Sequence, residues 1–468
     1  MIPLSIVAIR GGCYGDRIWA GAVWRPPPGK RGALLHQALC ERRTACIRRL
    51  AGWRKREVQF SRFLRNESVT PREMVREAVT KTAARVVGRD IVVVQDTTEL
   101  SLGGHWAREH GYGPIGKGGA LRGLLLHVGL AVELGTGAVI GLADAEVWNR
   151  DKEALAPRRS RATADKESQR WIDGAARAGE VLAGANSITV VSDQESDFYE
   201  HLASPAANVD LLIRAHQDRR IETDADDEVT RLLAFVEGLP EQGRYCVKIP
   251  AAPGRKARVA ELAIRFSPVT PRRPKIAARH LPKTIDLTIV DVREVSPPPD
   301  DSDPIHWRLL TTHKVSNLGE ARKIVDLYRL RWTIEEFFRT LKTASINIED
   351  ADIGDPRAMM NLVTAAAVAS VSIMQLVKAR DGTTEQVLED VFEPGDQPIL
   401  EALSLRLEGA TERQKNPHPK GTLAFGTWVL ARLGGWTSYY GKPGPKVISR
   451  GLYDFQRIKY GADLSLRL

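Results

Sequence analysis

The sequence predicts a mixed α/β fold with helical regions at both ends, and three observations carry that reading. Two short apolar runs, Ile91–Gln95 and Ser187–Ser192, have the length and flanks of buried strands. Between about Asp210 and Thr312, Val, Ile and Thr alternate with other residues and Pro and Gly punctuate the chain, the pattern of antiparallel strands. The stretch Tyr328–Lys342 contains no Gly or Pro and mixes apolar and charged residues at helical spacing.

Length and charge narrow the class. With 468 residues the chain is too long for one core, so several domains are expected. Its 68 Lys and Arg exceed its 58 Asp and Glu, giving a formal charge of +10, which favours a polyanionic partner and nucleic acid first. The four Cys (13, 40, 46, 246) form no CxxC pair, which argues against a zinc site or a disulfide framework and fits a reducing cytosol. Met1–Ile9 lacks the basic start and cleavage site of a signal peptide. Leu362–Val377 is the longest mostly apolar run; it is short for a membrane span and reads as a buried helix, so no membrane association is expected.

In chain order, Arg25-Pro-Pro-Pro-Gly29 is a breaker. Arg and Lys then crowd from Lys30 to Arg56 over a weak helical pattern (Leu34, Leu35, Leu39), which suits either a flexible basic arm or a helical DNA-contacting module. Phe63–Asn66 ends one helix, and Thr70-Pro71-Arg72-Glu73 starts another, with Thr70 as N-cap and Pro71 at the first helical position. The first buried strand ends in Asp96-Thr97-Thr98. Gly111–Gly118 reads as GxxxxGK, but Gly118 replaces the Ser or Thr that would hold Mg²⁺, Pro114 removes an N–H, and no strand is predicted before it. No nucleotide cofactor is therefore expected. Strands follow at about Leu124–Val132 and Ala138–Ala143, then a helix at about Lys166–Ala183. The second buried strand ends in Asp193-Gln-Glu-Ser-Asp197. Strands at Tyr245–Ile249, Arg258–Phe266, Thr284–Val295 and Trp307–Thr311 carry basic loops that include Arg214, Arg219, Arg220, Arg255, Lys256, Arg272, Arg273 and Lys275. After Asp355-Pro356 the chain is helical, broken at Gly382, Pro394-Gly395, Pro417–Pro419 and Gly434-Gly435.

The chemistry lies in three carboxylates. On a helical wheel, Arg331, Glu335, Arg339 and Lys342 fall within roughly 80° of one another, beside Tyr328, while Leu330, Ile334, Phe337, Phe338 and Leu341 face the core. A solvated helix face gives this pattern; so does a metal-binding carboxylate among cations that hold phosphates. Asp96 and Asp193 stand at strand ends, where α/β sheets present sites, although an Asp there also serves as a turn residue or N-cap. Two strand-borne Asp and one helix-borne Glu suit two hard divalent ions that activate a nucleophile and stabilise a leaving oxygen in phosphoryl transfer.

The spacing Tyr328-x2-Arg331-x3-Glu335-x6-Lys342 resembles the signature of DDE transposases of insertion sequence family four. Asp96 in Gln-Asp-Thr-Thr and Asp193 in Ser-Asp-Gln-Glu-Ser-Asp match the other catalytic positions. Lys166-Glu167-Ser168, Arg214 and Trp307–Thr311 also match, and the resemblance covers about residues 59–345. It implies a ribonuclease H-like core at 69–345 interrupted by a β insertion at about 208–315, a helical end-binding domain at 1–68 and a helical dimerisation domain at 346–468. Residues 1–58 do not align with the family's end-binding domain.

The resemblance implies cut-and-paste strand cleavage and transfer. Asp96, Asp193 and Glu335 would hold two Mg²⁺ (or Mn²⁺) ions. Tyr328, Arg331 and Lys342 would grip a phosphate near the element's 5′ end, Trp307 would stack on a flipped base, and Arg214 and Arg339 would contact the backbone. The expected partners are double-stranded DNA (inverted-repeat ends and target) and a second copy of the chain in the synapsed complex, in a prokaryotic cytoplasm at the nucleoid. A structure-selective nuclease of the same core and a non-catalytic DNA-binding remnant or inhibitor are the alternatives.

Overall fold

The computed structural model describes residues 28–150, 167–222, 229–249, 257–296, 298, 303–439 and 441–465. The sequence readings at Met1–Ile9, Arg25–Pro27, Cys13, Lys166, Arg255 and Lys256 lie outside these residues.

Four helices come first: α1 (Pro28–Glu41), α2 (Ile47–Ala51), α3 (Arg54–Leu64) and α4 (Pro71–Arg85). The weak pattern in α1 is real, since Leu35 and Leu39 are fully buried. At α4 the Thr70 hydroxyl accepts the Glu73 amide at 3.3 Å with Pro71 in the first turn, as the sequence predicts.

Strands β1 (Asp90–Ser101), β2 (Gly113–Ile115), β3 (Leu121–Glu133) and β4 (Val139–Trp148) follow, with a short helix α5 (Gly104–Glu109) between β1 and β2. The GxxxxGK run leads through a tight turn into β3 rather than into a helix, so it has no P-loop geometry. Next come helix α6 (Gln169–Val181), β5 (Ser187–Ser192), the short helix α7 (Tyr199–Leu202) and β6 (Asp210–Arg214). The remaining strands are β7 (Arg220–Glu222), β8 (Val229–Arg231), β9 (Gly243–Ile249), β10 (Arg258–Pro271), β11 (Leu287–Glu294) and β12 (His306–Thr311), with α8 (Leu232–Gly238) between β8 and β9.

All twelve strands join one sheet in the order β2-β3-β1-β5-β6-β12-β11-β10-β7-β8, with β4 on β3 and β9 on β10. β1, β3 and β4 run antiparallel, whereas β5 and β6 run parallel to β1. The strands between β6 and β12 in the chain are antiparallel, as their alternation predicts, and they continue the main sheet through the β12–β6 pairing.

The stretch read as one helix falls into three helical pieces, the end of α9 (Leu318–Arg329), α10 (Trp332–Arg339) and a wide π-helical turn at Thr340–Ala344, with a turn at Leu330-Arg331 between the first two. A wheel assumes uniform 3.6-residue turns, and both breaks rotate the residues beyond them. The long helix α11 (Pro356–Ala379) is long and apolar enough to cross a membrane, but its apolar window is 94% buried inside the protein. It packs against α1, α4 and β4. Its buried Asn361 amide donates to the carbonyls of Leu64 and Val69 at 2.8 and 2.9 Å, tying the N-terminal helices to it. The chain closes with α12 (Gln397–Leu407), α13 (Leu423–Leu433) and α14 (Pro445–Ser465). Side chains from α1–α4, the sheet and α11–α14 share one hydrophobic core on one face of the sheet; a smaller core lies under α6.

Candidate active site

The site grows from the parallel part of the sheet. β1 pairs with β5 only from Asp90↔Ser187 to Val94↔Val191, although β1 itself runs on to Ser101 beside β3. Asp96 therefore stands two residues beyond the point where the two strands part, within the strand rather than at its end. Asp193 follows β5 directly and caps a short turn by accepting the Glu195 amide at 2.8 Å. Its turn role is thus real, and it occupies one oxygen.

The two carboxylates are close enough to act on each other. Burial pushes the Asp96 carboxyl up to about 7, and the charge of Asp193 adds to that rise. The Thr97 amide, 2.7 Å from Asp96 Oδ1, and the Arg331 guanidinium work in the opposite direction. Glu195 also raises Asp96; it lies in the acidic run after β5, and its position two residues beyond Asp193 was the only sequence signal for it.

Glu335 arrives on α10, which packs against β1. Its Oε1 lies 2.6 Å from Arg331 Nη2, four residues back. Arg331 is largely buried and interacts electrostatically with Tyr328, Glu335 and Asp96, so it links the helix-borne carboxylate to the strand-borne one. The adjacent Glu336 points elsewhere, to Lys378 at 2.8 Å. Among the described residues no three His, Cys, Asp or Glu are gathered closely enough to hold a metal ion. Asp96 and Asp193 converge, while the third carboxylate is engaged by Arg331.

Around this centre, Tyr328 is 2% exposed, and burial raises its hydroxyl above the usual phenol range. Arg331, Arg214 and Asp193 all act on it electrostatically. Trp307 is half-buried and meets Tyr328 edge to face, with ring centroids 5.4 Å apart. Arg214, at the end of β6, donates to the His306 carbonyl at 3.3 Å. Lys342 sits further along β1, where its ammonium donates to the Glu99 carbonyl and lies 3.8 Å from Glu349. Arg339 is exposed and has no ion-pair partner among the described residues. The structure thus brings Asp96, Asp193, Arg331, Glu335, Tyr328, Arg214 and Trp307 into one neighbourhood and leaves Lys342 and Arg339 at its margin.

Sequence reading missed a polar layer on the other face of β1. His127 is fully buried, with its pKa lowered to about 3 by burial, and its Nδ1 is 2.9 Å from the Thr97 hydroxyl. Its ring meets Trp171 edge-on at 4.8 Å. A lone His in an apolar strand carries no distinguishing sequence signal. Nearby, Glu167 accepts from Arg150 Nη2 at 2.6 Å and from the Trp148 indole at 3.0 Å.

Residues 149–371, just under half of the chain, match the family model described as a transposase DDE domain. That span contains Asp193, Trp307, Tyr328, Arg331, Glu335 and Lys342 and begins beyond Asp96. The match supports an enzyme of the DDE transposase class.

Proposed function

We propose that this chain is a cut-and-paste DNA transposase of the insertion sequence family four type, with Asp96, Asp193 and Glu335 as its catalytic carboxylates. The observation that carries the reading is the convergence of Asp96 and Asp193 beside the parallel strands, with Glu335 held one guanidinium away. The β4-β3-β1-β5-β6 strand order, antiparallel on one side of β1 and parallel on the other, supports a ribonuclease H-like core. On this reading residues 1–68 bind element ends, 69–345 hold the chemistry with an insertion at about 208–315, and 346–468 pair two copies on DNA. The protein then works at the prokaryotic nucleoid.

Three carboxylates are the donor chemistry Mg²⁺ or Mn²⁺ takes, and the set would be complete once Glu335 leaves Arg331. All three groups offer hard oxygens, and a divalent cation there would offset the burial and the Asp193 charge that together raise Asp96. Two ions held by Asp96, Asp193 and Glu335 would supply activation of a water or 3′-hydroxyl and charge stabilisation at the leaving oxygen. The chain's own residues do the rest. Arg331, paired with Glu335 in the free protein, would exchange that carboxylate for a phosphate entering between Asp96 and α10 and so free Glu335 for the metal. Tyr328 and Arg214 line the approach, and Trp307 offers a ring to an unstacked base. Lys342, anchored at the Glu99 carbonyl, would take a phosphate one step further along β1.

A second reading, a DNA-binding remnant without catalysis, is favoured by the Glu335–Arg331 pairing and the absence of a three-carboxylate cluster among the described residues. The test is a supercoiled plasmid carrying the DNA that flanks the gene, incubated with protein and Mg²⁺ or Mn²⁺. Nicks at defined ends are expected. Binding without nicking in either metal selects the second reading.

A further inference from the structure

The loop Arg272–Lys283 (Arg-Arg-Pro-Lys-Ile-Ala-Ala-Arg-His-Leu-Pro-Lys) joins β10 to β11 and holds five cations, one His and no acid. It is a fixed structure. Arg272 and Thr284 form a β-bridge, and the Arg273 amide donates to the Lys283 carbonyl at 2.8 Å. The Arg273 guanidinium donates to the carbonyls of Arg279 and Leu281. The Tyr199 hydroxyl donates to the Pro282 carbonyl at 2.9 Å, and Ala277 is tucked inside at 7% exposure. On this rigid frame Ile276 is 97% exposed. Lys275, Arg279 and Lys283 in the same loop are exposed, with no ion-pair partner among the described residues.

The loop walls a cleft of about 590 Å³, whose other side is Asp197–Glu200 and Gln217–Arg220. Arg219 there is neutralised by Asp197 at 2.6 Å, and Asp197 also accepts the His216 and Gln217 amides. Arg220 is exposed and has no ion-pair partner among the described residues. Asp224, Asp226, Asp227 and Glu228, between β7 and β8, lie outside the described residues. Asp197 follows Asp193 by four residues, so the cleft wall begins within about 14 Å of that carboxylate along the chain. That is roughly four base pairs of duplex rise.

We propose that this loop is a DNA wedge: Lys275, Arg279, Lys283 and Arg220 clamp backbone phosphates, and Ile276 enters the duplex at a base step and kinks it. An apolar residue held in water in a hydrogen-bonded, cation-rich loop has no packing role in this fold. It has the make-up of the side chains that other proteins insert between base pairs, with bends of about 20–90°. The inference rests on the proposed action on DNA and adds to it a deformation of the bound duplex.

The experiment uses the full chain and a short duplex from the gene's flanking DNA, labelled with a fluorophore pair at its two ends, with binding followed across a salt series. Wild type is expected to raise energy transfer on binding. Ile276→Ala should lose that rise at saturating protein while keeping the salt slope. Lys275→Ala/Arg279→Ala/Lys283→Ala should reduce the log–log salt slope by about 2 to 3 while keeping the bend at low salt. All four positions are exposed, so unchanged melting temperatures exclude misfolding. Variants that match wild type in bend and slope overturn the wedge while leaving the nuclease chemistry standing if wild type still nicks the same duplex. A wild type that binds no duplex at any salt overturns both.

Discussion

Replacing Asp96 by Asn should stabilise the metal-free protein at alkaline pH and not at acid pH. Asp96 is raised to about 7, chiefly by burial and then by Asp193. A carboxyl with a folded pKa above its unfolded value of about 3.9 binds more protons folded than unfolded between those two values. Stability therefore falls as pH rises from about 4 to about 7, and the loss is complete above that range. Each pKa unit corresponds to about 1.4 kcal/mol, so three units set a ceiling near 4 kcal/mol. The side chain is only partly buried, so about 1–3 kcal/mol is the expected size. Asn keeps the shape and carries no charge. Thermal unfolding in EDTA at pH 5 and pH 8 reads the difference: the variant should melt several degrees above wild type at pH 8 and close to it at pH 5. Adding Mn²⁺ at pH 8 should raise wild type and leave Asp96→Asn unmoved, because an ion that binds only the folded state stabilises it. A variant less stable than wild type at pH 8 would refute the claim that the charged Asp96 carboxylate destabilises the metal-free fold.

Three further outcomes follow from the geometry. Arg331→Ala should weaken DNA binding and lower the log–log salt slope by about one phosphate contact, and Lys342→Ala should do the same; slopes equal to wild type would make both cations structural. Arg331→Ala also releases Glu335, so its metal affinity by calorimetry should rise even as DNA affinity falls; weaker metal binding would show that Arg331 orients the carboxylate rather than competing for it. Trp307→Ala should leave the first nick near normal and slow the later step that needs an unstacked base by about 5- to 150-fold, with partial rescue by an abasic nucleotide. Equal loss at every step with a lowered melting temperature would assign Trp307 to packing against Tyr328.

Much of the local structure was legible because it rests on short-range chemistry. Thr70 and Pro71 announce a helix start, Ser187–Ser192 is a strand by composition, and Arg258–Phe266 alternates visibly. Each carboxylate candidate could be placed on its element. What was hidden depends on partners distant in the chain. Nothing local shows that β1 runs past Asp96, because its continuation pairs with β3 alone. The joining of the later strands to the main sheet is set by Leu309↔Arg214 and its neighbours, contacts across about a hundred residues. The break at Leu330-Arg331 and the wide turn at Thr340 lie in helix-forming residues, so packing rather than propensity makes them. The Arg331–Glu335 pair was available from i,i+4 spacing, but its link to Asp96 required the helix docked on the sheet.

The central claim is that Asp96, Asp193 and Glu335 act as one catalytic set on DNA. Nicking of a plasmid carrying the gene's flanking ends, with Mg²⁺ or Mn²⁺, tests it when scored beside a gel shift on the same DNA. Asp96→Ala, Asp193→Ala and Glu335→Ala should each bind the ends and fail to nick, whereas Glu336→Ala, whose carboxylate faces Lys378, should nick like wild type. Full nicking by any one of the three variants, or loss in Glu336→Ala equal to theirs, would contradict the assignment.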